Sequence, residues 1–186
     1  MIYFAYSHIT VITLLAFAAI NEVQGESWAV GIIKERLALV KNETLGIMSH
    51  MKRAEGQVRT IKERIFIRDP ASWGVIKNHS ECLETAYEYK WGTKVFSHLA
   101  ENLHRNSEAD LSDVVNCCKE KSSAYLKKME EFPVKKCLEN LPSANSQDLD
   151  QLNSEIGSLY YHKHYYGIYI FLEKLYKTQL KVLGAY

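Results

Sequence analysis

The sequence predicts an all-α fold, a disulfide-linked helical bundle of about five helices. Three observations carry that expectation. Apolar residues recur every three or four positions in long runs. Only three prolines and nine glycines interrupt 186 residues. The one stretch with strand-like alternation, Gly167 to Leu172, has helical patterning on both sides and no second strand to pair with.

The N-terminus reads as an export signal. Ile9 to Ile20 is a twelve-residue run without charge, and small residues in Val23-Gln24-Gly25 suit a cleavage site after Gly25. The run is short for a transmembrane span, and the segment before it carries no Lys or Arg. Residues 1–25 are therefore expected to be a signal peptide and 26–186 a single helical domain, secreted to the extracellular space and outside the membrane after cleavage. A formal net charge of +1 gives no reason to expect nucleic acid as a partner.

The elements follow in order. Ile33, Leu37, Val40, Thr44, Ile47, Met51, Ala54, Val58, Ile61 and Ile65 alternate in steps of four and three, with Lys34, Glu35, Lys41 and Glu43 among the charged residues between them. That is one amphipathic helix ending at Asp69-Pro70, which caps and opens the next. A second seam runs through Val75, His79, Cys82, Ala86, Tyr89, Thr93, Phe96, Ala100 and Leu103, with Gly92 as the place to break. Ser107-Glu108-Ala109-Asp110 reads as a cap for a third helix, with Leu111, Val115, Cys118, Ser122, Tyr125 and Met129 inward. Phe132-Pro133 closes it and opens a short helix. After the turn-forming stretch Pro142 to Asp148, Leu149, Leu152, Ile156 and Leu159 start a final helix.

All four cysteines lie after the signal, and an even number in an exported chain argues for two disulfides among Cys82, Cys117, Cys118 and Cys137. Adjacent residues on a helix point about 100° apart. Cys118 then faces the core and Cys117 its shoulder, which suits bonds to two different neighbours. One of the pair is expected to join Cys82 and the other Cys137, without assigning which. The scheme requires a chain reversal near Gly92 and a third helix ending around Lys127-Lys128, since a straight second helix would hold Cys82 far from Cys117. Two sequons, at Asn42 and Asn78, fit a glycosylated secretory product.

No motif announces catalysis. Glu101 and His104 share a helix face but supply only half of a di-iron carboxylate set, and His162 and His164 diverge on a helix. Nucleophile-elbow, metalloprotease, P-loop and dinucleotide fingerprints are all missing from the sequence. The expectation is a protein that is not an enzyme, with no cofactor and no metal. The lysines from Lys119 to Lys136 alternate with Glu120, Glu130 and Glu131 as a solvated face. Seven of twelve tyrosines lie between Tyr160 and Tyr186. Tyr160, Tyr161, Tyr165, Tyr166 and Tyr169 point around a helix, so they offer a contact surface or line a pocket for an apolar ligand.

A signal segment, helical seams and four cysteines with an adjacent pair resemble small secreted helical proteins of insect saliva or haemolymph. The resemblance covers the mature chain as architecture, and the six-cysteine spacing of odorant-binding proteins is absent. It implies a secreted non-enzymatic interaction protein that modulates host or other extracellular proteins. The alternative is a carrier of a small hydrophobic ligand within the bundle.

Overall fold

The computed structural model describes residues 25–106, 112–139 and 146–185. Nearly all of the expected signal segment, the Ser107–Asp110 cap and much of the Pro142–Asp148 stretch lie outside them. The elements are α1 (Gly25–Arg68), a 3-10 turn (Pro70–Ser72), α2 (Trp73–Asn106), α3 (Ser112–Glu131), the single turn α4 (Val134–Cys137) and α5 (Ser146–Val182). No strand occurs among the described residues, and Gly167 to Leu172 is helical. The fold is an all-α bundle, with four full-length helices in place of about five.

α1 is helical for 44 residues because its seam never misses a turn. Eight of the ten seam positions are buried, and the polar one, Thr44, satisfies its hydroxyl by donating to the Val40 carbonyl at 2.7 Å. The end is where the sequence places it. Asp69 accepts from the Ser72 backbone N–H and hydroxyl, Pro70 occupies the first position, and α2 follows directly.

α2 departs from expectation twice. It runs unbroken through Gly92. Its buried face is also broader than the expected seam: His79, Ala86, Ala100 and Leu103 of the seam are buried, Ile76, Ser80, Leu83 and Tyr87 are buried beside them, and Val75 is exposed. Gly92 instead serves close packing. A Cβ there would meet the ring atoms Cδ1, Cγ and Cδ2 of Tyr125, on α3, at 2.8–2.9 Å. The glycine is a notch in α2 that receives an aromatic ring.

The described contacts form two compact units. The first comprises residues up to Gly46, Phe96–Glu120 and Gly167–Tyr186; the second comprises Ile47–Val95 and Lys121–Tyr166. In the first, Leu37, Val40, Leu99, Leu103, Val115, Cys118, Leu172, Tyr176 and Leu180 are buried. In the second, the core joins Val58, Ile61 and Ile65 of α1 to Ile76, Leu83 and Tyr87 of α2 and to Leu149, Leu152 and Ile156 of α5.

The cysteine scheme is corrected here. Cys82 bonds Cys137 directly, with Cα atoms 5.6 Å apart, while Cys117 and Cys118 stand outside any disulfide. The cause is the continuous α2. About 24 residues, roughly 36 Å at 1.5 Å each, separate Cys82 from the end of that helix. Cys117 lies only a turn and a half into α3. Within the second unit α3 runs back along α2: Ser122 donates to the Thr93 carbonyl at 3.1 Å, and Lys128 sits over the Tyr89 ring. Continuing that register to Glu131, beyond the expected stop at Lys127-Lys128, brings the turn after Pro133 level with Cys82. The expected facing of the pair holds, with Cys118 buried and Cys117 exposed. His79 reinforces the joint. Its Nδ1–H donates to the Cys137 carbonyl at 2.8 Å, and burial holds its pKa below the ordinary value.

A second clamp ties α5 to α1. Buried Asp148, in the first turn of α5, receives the Arg64 guanidinium at 2.7 Å and that of Arg68 at 2.9 Å. Asp148→Asn keeps the shape and removes the charge that both arginines face. It is expected to lower unfolding free energy by about 2 kcal/mol in urea denaturation, less than a fully buried pair because the arginines are partly solvated. A loss below about 0.5 kcal/mol would mean that the pair behaves as a surface contact.

Candidate ligand groove

The second unit carries a groove of about 880 Å³, half open to solvent. Its walls follow from the antiparallel run of α1 and α5 in this unit. His50 stacks on His162 with ring centroids 5.3 Å apart, and Arg64 reaches Gln151 at 2.8 Å, so residue numbers rise along one helix as they fall along the other. From the seam residue Met51, Glu55, Arg59, Glu63 and Phe66 follow at spacings of four and three on α1, along the strip beside its core seam. Leu159, Tyr160, Lys163 and Tyr166 form the α5 wall, and Trp73 and Glu84 come from α2.

The floor is apolar and aromatic. Phe66 and Trp73 meet edge to face at 5.3 Å across the Asp69-Pro70 turn, and Val58 is buried at the base. Tyr160 carries the Lys163 ammonium over its ring at 4.8 Å. Its hydroxyl is pushed up to about 12, first by burial and then by Glu84 and Glu88, so it stays a neutral donor at physiological pH. The rim is charged, with Lys62 paired to Glu84 at 2.9 Å and Arg59 to Glu63 at 4.0 Å. Such a surface can take up apolar matter and offer it polar ends.

Beside it, α2, α3 and α5 share a polar cluster. Glu88 faces His164 Nε2 at 3.4 Å, the Tyr125 hydroxyl at 3.4 Å and Lys163 at 3.9 Å. The His164 imidazole is the main influence holding its carboxyl below the ordinary range, against the opposing effect of burial.

The residues singled out from sequence are distributed unevenly. Tyr160 and Tyr166 line the groove. Tyr161 packs edge to face against Trp91 at 4.9 Å and tilts onto Tyr165 at 4.6 Å, so these two serve internal aromatic packing. Tyr169 is only 2 % exposed, which takes it out of the expected contact surface: it faces the interior of the first unit. Asn42 and Asn78 are both exposed on helices. Glu101 is exposed and lies 3.4 Å from the Ser97 hydroxyl, while the His104 side chain is outside the described set. Among the described residues no three His, Cys, Asp or Glu side chains gather as a metal set.

Sequence reasoning missed Met51, Glu55, Phe66 and Trp73 as groove residues. Phe66 was the available signal, a large apolar side chain off the seam of an otherwise regular amphipathic helix. No described helix is long and apolar enough to cross a membrane, and the disulfide is compatible with an oxidising, secretory compartment. No family model, curated protein or solved structure matches the chain.

Proposed function

We propose that the protein is a secreted, non-enzymatic interaction protein that holds an extracellular partner in the groove of its second unit. The observation that carries this reading is the half-open cleft of about 880 Å³ with an aromatic floor and a charged rim. That volume lies within the range of ligand sites, and Tyr, Trp and Phe are the side chains that contribute most per contact. The resemblance to secreted salivary or haemolymph proteins supports an extracellular role. The same cleft supports the alternative, a carrier of a small hydrophobic ligand, with its apolar lining as the site.

A neutral reporter dye such as Nile red tests the reading. It is expected to bind the full chain at one saturable site. Phe66→Glu puts a carboxylate on the floor at a half-exposed position, where folding tolerates it, and should weaken binding at least tenfold. Phe66→Leu should retain most of it. Dye binding indifferent to Phe66→Glu would remove the groove as the site.

A further inference from the structure

His79 is a buried ionisable side chain that takes no part in lining the groove. It is 5 % exposed and stands one turn before Cys82 on α2. A carbonyl can only accept, so the 2.8 Å contact with the Cys137 carbonyl puts the ring hydrogen on Nδ1. In the neutral ring Nε2 is then a bare acceptor, and it has no hydrogen-bond partner among the described residues. A proton added at Nε2 creates a charged N–H with nothing to receive it.

No charged neighbour offsets that cost. Burial lowers the pKa of the ring and outweighs the Cys137 carbonyl, which raises it, and no charged group adds to either. The charges on the surrounding elements are paired elsewhere or turned to solvent. Lys77 and Glu81 of α2 face each other at 3.9 Å, and Glu84 holds Lys62 of α1 at 2.9 Å. Asp148 of α5 is engaged by Arg64 and Arg68 of α1. Glu130 and Glu131 of α3 are exposed, as are Lys135 and Lys136 of α4 and Glu139 after it. The folded chain therefore takes up the His79 proton less readily than the unfolded chain. The contribution of the neutral ring to stability is complete above pH 6.5 and is lost as the pH falls below it.

The element that yields is α4. It is a single turn of four residues, and its N-cap, Pro133, makes no side-chain cap bond, whereas α2 is helical for 34 residues. We propose that His79 is an acid-sensitive latch: protonation of its ring undocks the α4 turn from the core of the second unit, and the Cys82–Cys137 bond keeps the turn tethered so that it closes again on neutralisation.

The test is amide hydrogen exchange of the full oxidised chain and of His79→Asn between about pH 7.5 and 5.5. Asparagine offers an N–H in place of Nδ1 and cannot titrate. Intrinsic exchange chemistry and the other histidines are common to both chains and cancel in the ratio. The probes are the amides of Lys136 and Leu138, which bond the Pro133 and Lys135 carbonyls within the turn. Their exchange in the native chain, relative to His79→Asn, should rise at least about threefold over that range and fall back on neutralisation. The Ile61 amide, in the α1 part of the same core, should keep a constant ratio. Titration of the ring by NMR needs only the native chain and should place His79 below 6.5. A constant ratio at Lys136 and Leu138, an equal rise at Ile61, a rise that does not reverse, or a ring titrating at or above 6.5 would each overturn the latch.

Discussion

Replacing Cys82 and Cys137 together by alanine is expected to lower the unfolding free energy by about 4 kcal/mol, the chain-entropy value for a loop closed over 55 residues. The bond crosses from the early part of α2 to the single turn after Pro133, so the loop it closes takes in the rest of α2 and all of α3. The loss should also include the His79 hydrogen bond, because α4 holds the Cys137 carbonyl in place only while its turn stays docked. Denaturant titration of the double variant measures it, and a loss below about 1 kcal/mol would mean that the native contacts hold without the bond. Cys117→Ser, at an exposed position, should change stability by less than about 0.5 kcal/mol. Thiol titration of the oxidised chain adds a direct test of the pairing. One thiol, Cys117, should react at once in the folded protein, and the buried Cys118 only on unfolding. A chain with no reactive thiol in denaturant would show that Cys117 and Cys118 are also disulfide-bonded, and peptide mapping that joined them to Cys82 and Cys137 would overturn the bond described here.

The second large effect is expected at Gly92. Alanine normally gains about 1 kcal/mol over glycine inside a helix, so the naive expectation is stabilisation. At this position the new methyl meets the Tyr125 ring across its Cγ edge at 2.8 Å, and the ring cannot swing away as the tip of a flexible chain would. Overpacking of this kind costs about 1–3 kcal/mol, which offsets the helix gain and leaves a net loss of up to about 2 kcal/mol by urea denaturation. Gly56→Ala, whose methyl meets nothing within 4 Å, provides the control and should gain roughly 0.5–1 kcal/mol. Combining Gly92→Ala with Tyr125→Leu should recover part of the loss, with a coupling above about 0.5 kcal/mol. Stabilisation by Gly92→Ala alone would show that Tyr125 is not seated on the glycine.

The all-α class, the extent of α1 and its buried seam were legible because they depend on residues three and four apart. The Asp69-Pro70 boundary was legible for the same reason, since a cap and a fixed φ act on their own neighbours. α2 was read less well. Its buried residues include His79 and Ala86 of the expected seam and also Ile76, Ser80, Leu83 and Tyr87 beside it, because α2 packs against α1, α5 and α3 within the second unit and buries a broad arc. A helix with neighbours on several sides has no narrow stripe to detect. The tyrosines divide similarly. Spacing alone gives Tyr160, Tyr166 and Tyr169 equal standing, yet two line a groove and one is sealed in a core.

What the sequence determined by itself was local: the helical class, the end of α1 at Asp69-Pro70, and the different facing of Cys117 and Cys118. Tertiary structure decided which cysteine met which, that Gly92 would receive a ring instead of ending a helix, and that Met51, Glu55 and Phe66 would line a groove. The physical reason is that a glycine or a thiol carries the same intrinsic preferences in either role. Only the register of α3 against α2 places Tyr125 over Gly92 and Cys137 beside Cys82. Only the opposed run of α1 and α5 sets Met51 and Glu55 of α1 in one groove with Leu159, Tyr160 and Tyr166 of α5.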